Sequence, residues 1–145
     1  VLIDDADFDL VSRYKWSAHK SSGIFYAKSN GSRKEIPRKT IKMHRLIMGL
    51  EDGDKTHIDH INGDRLDNRI ENLRIATIAQ NNQNIREPKK NNKIGVLGVC
   101  LDGGRYKAQI TIQGKNINIG RFDTIEEAAN AYMQEKRKHH EFCTI

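Results

Sequence analysis

Strict alternation of polar and apolar residues is clearest in the last third of the chain. In residues 105–112, Arg, Lys, Gln and Thr alternate with Tyr, Ala and Ile, and residues 116–119 alternate Asn with Ile. A period of two is typical of strands that bury one face. With a turn at residues 113–115 and a further strand at residues 99–101, the pattern predicts a three-stranded antiparallel sheet.

One helix is predicted after this sheet. Thr124 and Glu127 have the spacing of a capping box, in which each side chain bonds the other residue's backbone N–H. The next apolar residues share one helical face: Ile125, Ala128, Ala129 and Tyr132. That face can cover the apolar side of the sheet, which leaves the polar side to solvent or to a partner.

The first part of the chain gives shorter patterns. Residues 2–16 predict a strand or a short helix, and residues 23–29 predict a strand. Asn30-Gly31 predicts a hairpin turn, because both residues tolerate positive φ, and the return strand is predicted over residues 40–43. The basic, proline-containing residues 33–39 predict an exposed edge, which serves either solubility or phosphate binding.

Residues 57–84 form a third pattern, rich in Asp, Asn and His. A strand ending at His60 is followed by a polar loop that closes on Asn72, then by a return strand. Thr77 is the predicted N-cap of a short helix that carries Asn81. The outline is strand, loop, strand, helix.

Composition and charge favour two small modules. The 145 residues carry 25 Lys and Arg against 19 Asp and Glu, a net charge of +6, which points to a polyanion as partner. Residues 1–85 carry 14 basic and 12 acidic side chains, whereas residues 86–145 carry 11 and 7. The polar, basic stretch 86–93 reads as a linker, so the predicted domains are 1–85 and 94–145.

Several classes of protein are excluded or disfavoured by the same sequence. No apolar run approaches the roughly 20 residues that cross a membrane, so we expect no membrane partner. The acidic start does not resemble a signal peptide. Two cysteines do not make a disulfide-rich secreted scaffold, so a reducing, cytoplasmic setting is expected.

The polar loop brings together groups with a shared chemistry. Oxygen ligands such as Asp carboxylates and Asn carbonyls suit Mg²⁺, which also binds phosphate. An adjacent His can take a proton from an attacking water at neutral pH. Together they indicate hydrolysis of phosphodiester bonds. Zinc is a weaker alternative, because Cys100 and Cys143 form no CxxC pair, and a purely hydrogen-bonded loop also remains open.

The order of these residues resembles the HNH endonuclease family, in the branch of phage and intron-encoded homing endonucleases. The matching residues are Asp59, His60, Asn62, Gly63, Asp64, Asp67, Asn68, Glu71, Asn72, Leu73, Arg74, Thr77, Gln80 and Asn81, with His44-Arg45-Leu46 upstream. The resemblance implies a ββα-metal site. In it His60 is the general base, Asp59 and Asn81 ligate Mg²⁺ or another divalent cation such as Mn²⁺, and Asn72 braces the loop and orients His60.

Two arginines of this region are further candidates. Arg45 and Arg74 are predicted to hold phosphate, and ordinary surface charge is the alternative for both. His57 is more typical of a strand or loop side chain than of a ligand. Asn84 lies one turn after Asn81 and is open to either a supporting or a capping role.

The C-terminal part resembles the Apetala-two/ethylene-response-factor DNA-binding domain. The resemblance rests on Gly98-Val99, on residues 105–110 and on residues 119–132, which read IGRFDTIEEAANAY. It implies a sheet that reads the major groove of DNA. The residues facing DNA are then Arg105, Lys107, Gln109, Thr111, Asn116 and Asn118.

These inferences predict an α+β protein with an N-terminal HNH nuclease module and a C-terminal sheet packed on one helix. The predicted function is a homing-type endonuclease that cuts double-stranded DNA as a monomer or homodimer, with no small-molecule cofactor. A non-enzymatic, sequence-specific DNA-binding regulator is the alternative. A nuclease that acts on RNA is a weaker third option.

Overall fold

The computed structural model describes residues 1–21, 23–30 and 40–145. The chain divides into two compact units, Val1–Asn81 and Asn82–Ile145. Residues 86–93, predicted as a linker, therefore lie within the second unit. Helices and antiparallel sheets occur in both units, which confirms the α+β class. Within the described ranges, no helix has both the length and the apolar character needed to cross a membrane.

The first unit combines two small antiparallel sheets with short helices. Its strands are β1 (Ser17–Ser21), β2 (Ile24–Asn30), β3 (Thr40–Lys42), β4 (His57–His60) and β5 (Leu73–Ala76). Its helices are α1 (Phe8–Ser12), α2 (Met43–Ile47) and α3 (Ile78–Gln83), whose last two residues belong to the second unit. Strands β1, β2 and β3 form one sheet in that order, and β4 pairs with β5 in the other.

The core of the first unit joins its helices to the larger sheet. Val11 of α1, Ala27 of β2 and Met43 of α2 are buried together. Trp16 packs against this cluster and donates its indole N–H to the Val11 carbonyl at 2.8 Å. Removal of this apolar surface from water is what fixes α2 against β2.

The first residues of the chain hold the polar loop that follows β4. The backbone N–H of Leu2 donates to the Leu66 carbonyl, and that of Asn68 donates to the Leu2 carbonyl, both at 2.8 Å. The Asp4 carboxylate accepts the Ile70 N–H at 2.7 Å. The loop is therefore held from outside as well as by its own strands.

The predicted order strand, loop, strand, helix is confirmed for residues 57–83. In the β4–β5 pair, Asp59 lies opposite Arg74 and His60 lies opposite Leu73. Thr77 caps α3 as predicted: its hydroxyl accepts the Gln80 N–H at 3.2 Å, and Gln80 Oε1 accepts the Thr77 N–H at 2.8 Å.

Other predictions for the first unit are met only in part. The segment 2–16 contains α1, and the predicted strand at residues 23–29 is β2. The return strand ends at Lys42, because Met43 starts α2. Gly31 of the predicted turn and the predicted basic edge, residues 33–39, lie outside the described residues. Strand β1 has no counterpart among the predictions, since all of its residues are exposed and no alternation marks it.

The second unit is a meander of three strands backed by one helix, as predicted. Its elements are β6 (Val99–Asp102), β7 (Arg105–Ile112), β8 (Lys115–Phe122) and α4 (Ile125–His139). Ala108 and Ile110 of the sheet are buried against Ala128 and Tyr132 of the helix. The capping box at Thr124 is present, with both reciprocal bonds at 3.2 Å.

Gly98 precedes β6 and is required by the packing of α4. Its φ is +74°, and an added Cβ would lie 2.0 Å from the ring of Tyr132. Only glycine satisfies both the conformation and the contact.

Candidate active site

Asp59 and His60 end strand β4 as a buried pair. Their exposed fractions are 0% for Asp59 and 1% for His60. Burial of a carboxylate is costly unless opposite charge accompanies it. Arg74, opposite Asp59 in β5, donates from Nε at 3.0 Å and from Nη2 at 2.7 Å to Asp59 Oδ2. Arg65 adds a longer contact, with its Nη1 3.5 Å from Asp59 Oδ1.

The imidazole of His60 lies against the polar loop. Its Nε2 is 3.4 Å from the side-chain oxygen of Asn68, which is itself fully buried. Burial lowers the pKa of His60 below its ordinary value, and the Asn68 contact partly offsets that effect. A neutral imidazole therefore prevails at neutral pH, and the neutral ring is the form that accepts a proton.

Asn72 lies at the far end of the loop and binds the loop backbone at two points. Its Nδ2 donates to the Asp67 carbonyl at 2.7 Å, and its Oδ1 accepts the Asn62 N–H at 2.9 Å. The Asn72 carbonyl also accepts the Ile61 N–H at 2.9 Å. These bonds connect the residues just after His60 to the start of β5, so they define the shape of the loop.

Asp67 is a buried carboxylate of the loop that follows β4. It accepts Arg69 Nε at 2.9 Å and Nη2 at 2.8 Å, and Asn62 Nδ2 at 2.8 Å. These donors hold the pKa of Asp67 at about 2. Asp67 thus serves the loop as an acceptor of internal bonds.

A polar cleft of about 180 Å³ opens beside His60. Its lining includes Lys42, His44, His57, His60, Arg65 and Asn81. Burial, together with Lys28 and Arg45, lowers the pKa of Lys42, which reflects how closely the cations are crowded. A cleft lined by cations and hydrogen-bond donors has the chemistry that receives an anion such as a phosphodiester.

The candidate metal ligands, Asp59 and Asn81, offer one carboxylate and one amide, both hard oxygen donors. Within residues 1–21, 23–30 and 40–145, no group of three or more His, Cys, Asp or Glu side chains could hold a metal ion. Asn81 lines the cleft, whereas Asp59 is fully buried and its two carboxylate oxygens contact Arg74 and Arg65. By their chemistry, two oxygen donors suit Mg²⁺, which keeps several waters and shares phosphate oxygens, better than zinc.

Both arginines that were predicted to hold phosphate donate hydrogen bonds to other groups of the protein. Arg45 lines the cleft, but its guanidinium donates to the carbonyls of Thr56 and Asp54 at 2.8 Å and of Glu51 at 3.3 Å. Arg74 binds Asp59 as described. Phosphate binding by either arginine stays a prediction. A bound phosphate would share the guanidinium with these protein partners.

The six residues predicted to face DNA lie on one sheet of the second unit. Gln109 pairs with Asn118 and Thr111 pairs with Asn116, so these partners share a face. Arg105 and Lys107 occupy the same side of β7, four and two residues before Gln109. Arg105 binds Asp123 through its Nε at 2.8 Å.

Three residues near these sites were missed by sequence reasoning. His44 and Arg65 line the cleft; His44 belongs to the matching run His44-Arg45-Leu46, but the sequence assigned no role to either residue. Arg121 of β8 pairs with Lys107 and so joins the polar sheet face. A β-bulge between Ala108 and Gln109 shifts the register there, and strict alternation along β8 would have placed Arg121 on the opposite face from Asn118.

Comparison with known proteins agrees with this arrangement. A family model described as HNH endonuclease matches residues 42–83, which contain Asp59, His60, Asn72 and Asn81. Protein 3.8 of Escherichia phage T7 is 32% identical over 89 residues, which are 60% of this chain and 73% of that protein. Residues 42–83 are an HNH endonuclease domain. The HNH domain therefore comprises α2, β4, β5 and all of α3.

A second relative extends the similarity beyond the HNH domain. An uncharacterized HNH endonuclease of Acanthamoeba polyphaga mimivirus, L560, is 33% identical over 127 residues. The match covers 85% of this chain and 61% of the length of that relative. No solved structure matches the chain.

Proposed function

We propose that this protein is a Mg²⁺-dependent endonuclease of the homing type that hydrolyses phosphodiester bonds in double-stranded DNA. The observation that carries the proposal is that the buried His60, which directly follows the buried carboxylate of Asp59, lines a cationic cleft together with Asn81. One such site in the described part of the chain favours nicking by one copy and cutting of both strands by two.

His60 would act as the general base. With Nε2–H directed at Asn68 Oδ1, the proton of the attacking water goes to Nδ1. The water oxygen bonds to phosphorus, the bond from phosphorus to the 3′ oxygen breaks, and that oxygen takes a proton from solvent. The products are a 5′-phosphate and a 3′-hydroxyl.

Asp59 and Asn81 would hold the metal ion. When bound, Mg²⁺ stabilises negative charge on the scissile phosphate and the leaving oxygen. Arg74 fixes the carboxylate of Asp59 through its two bonds to Oδ2. Asn72 keeps the loop in the shape that presents His60, so it acts through the loop backbone and not on the substrate.

The second unit would locate the DNA site. Its polar sheet face carries amides, a hydroxyl and cations, which are groups that bond base edges and phosphates, and a β-element fits the major groove. A cleft of about 610 Å³ lined by Gln109, Thr111, Asn116 and residues of the segment 88–94 lies in this unit. The likeness to the Apetala-two/ethylene-response-factor domain supports the same role.

Nicking of supercoiled plasmid tests the proposal. With Mg²⁺ we expect open-circle or linear product, and chelation of the metal should abolish it. The variant His60→Ala should cut at least about 100-fold more slowly, because a general base contributes 10²–10⁴ to the rate. Its affinity for the plasmid should stay unchanged.

A matched control is His19→Ala, which removes an exposed histidine of β1 and should leave nicking intact. Undiminished cleavage by His60→Ala would refute the mechanism. Binding without any cleavage in Mg²⁺ or Mn²⁺ would favour a non-enzymatic regulator. Preferential cutting of RNA in competition with duplex DNA would change the substrate class.

A further inference from the structure

Three rings form a row that runs from the first sheet into the candidate active site. The ring centroids of Tyr26 and His44 are 6.1 Å apart. Those of His44 and His60 are 5.2 Å apart with an interplanar angle of 87°, an edge-to-face contact. The three rings come from β2, α2 and β4.

His44 is enclosed at this point of the first unit. Its exposed fraction is 7%, and its ring lines the same cleft as His60. Burial, His60 and the cations Lys42, Arg45 and Arg65 together lower the pKa of His44 to about 3. The ring is therefore neutral, and it meets His60 as a planar packing surface without net charge.

A general base needs a fixed orientation, because a misplacement of about 1 Å can cost about 100-fold in rate. Asn68 directs one edge of the His60 ring, but at 3.4 Å its contact is at the long end for a hydrogen bond. A hydrogen bond at one nitrogen also leaves rotation about that bond less restrained than in-plane motion. The edge-to-face contact with His44 acts from another direction and limits rotation of the His60 ring about its hydrogen bond.

We propose that His44 is a positioning residue, whose buried ring holds the imidazole of His60 in the orientation for proton transfer. Tyr26 supports His44 from β2, so the first sheet forms a wall of the active site. This inference rests on the proposed role of His60 as the general base. It also gives Tyr26, which precedes the HNH domain, a supporting role.

Steady-state nicking separates positioning from binding. His44→Ala should lower kcat about 10- to 100-fold with KM for plasmid within about twofold of the wild type. His44→Phe keeps a planar ring of similar size and removes both nitrogens, so it should restore kcat to within about fivefold. Equal loss in His44→Phe and His44→Ala would show that the nitrogens of His44 matter, which would overturn the proposal.

The order of the His60 ring provides a readout that does not depend on cleavage. With ¹³C-labelled histidine at fixed pH, we expect one narrow set of His60 ring signals in the wild type and in His44→Phe. In His44→Ala the same signals should broaden or double. Because loss of a buried ring destabilises the fold, His44→Leu serves as a second variant with comparable apolar volume and no planar ring.

The two measurements fail independently. If the wild type does not nick DNA but His44→Ala still loosens the His60 ring, the proposed function is wrong and the positioning contact stands. If the wild type nicks DNA and the His60 signals stay narrow and unshifted in both His44→Ala and His44→Leu, the positioning role is wrong and the proposed function stands.

Discussion

Arg65 acts on two buried residues of the first unit in opposite senses. It contributes positive charge beside the carboxylate of Asp59, 3.5 Å from Oδ1. It also opposes protonation of His44, together with Lys42 and Arg45. A single cation thus lies beside the buried carboxylate of Asp59 and also favours the neutral ring of His44.

The neutral state of His44 predicts a stability that depends on pH. The folded pKa is about 3 and the unfolded value is 6.5, so between these values the unfolded chain binds a proton that the folded chain does not. The stabilisation is complete above pH 6.5 and is lost as the pH falls toward 3, at about 1.4 kcal/mol per pH unit. The groups facing His44 are His60, Tyr26 and the three cations, and each of the charged ones acts in this same direction.

Urea unfolding measures this effect through Trp16, the single tryptophan of the chain, which packs on the core of the first unit. From pH 7 to pH 5 the wild type should lose about 2 kcal/mol more unfolding free energy than His44→Phe, which has no group to protonate. The exposed control His19→Phe should behave like the wild type. Parallel losses in the wild type and His44→Phe would contradict the prediction.

At the scale of elements, the β-bulge in the β7–β8 pair decides which residues form the polar sheet face. Arg121 pairs with Lys107 and binds Asp102 through Nη2 at 2.7 Å. Arg105 has a similar exposed bond to Asp123. Such surface ion pairs contribute little free energy, so a phosphate can replace the carboxylate at small cost.

We therefore expect Arg121→Ala to weaken DNA binding although it lies outside the set that the sequence predicts. Removal of one cation that binds a phosphate should reduce the slope of log affinity against log salt by about 0.9. Lys138→Ala removes an exposed charge from α4 and provides the matched control. Salt titration of binding distinguishes the two, and an unchanged slope for Arg121→Ala would remove this residue from the interface.

The sequence predicts an element well when the signal is local. The loop that follows His60 is predicted by its turn residues, and the caps at Thr77 and Thr124 are predicted by their spacing. Contacts between distant residues do not follow in this way. The contact between His44 and His60 joins two different elements. Lys136 lies near a helix end, where lysine is usually exposed, but it is 1% exposed and its ammonium donates to the Ile85 carbonyl.

At the scale of the whole molecule, the two units carry different charges and, by our proposal, different tasks. The first 85 residues are nearly neutral, with 14 basic and 12 acidic side chains, and the rest carry 11 and 7. The net charge of +6 is therefore concentrated in the part that would hold DNA. Binding and cleavage should be separable by substitution.

The full-length protein tests this separation. His60→Ala should lower kcat with little change in KM, whereas Lys107→Ala with Arg121→Ala should raise KM with little change in kcat. The change in activation free energy of the combined variant should equal the sum of the changes in the two separate variants to within about 0.5 kcal/mol, since the effects of independent sites add. A marked departure from additivity in nicking assays would mean that the sheet also takes part in the chemical step.

The bond from Lys136 to the Ile85 carbonyl joins residues 51 positions apart within the second unit. During synthesis on the ribosome, neither this bond nor the burial of the sheet under α4 can form until the last helix has emerged. The first unit has its internal contacts within 81 residues and can fold while the rest is still being made. A growing chain thus completes the part that would cut DNA before the part that would choose where to cut.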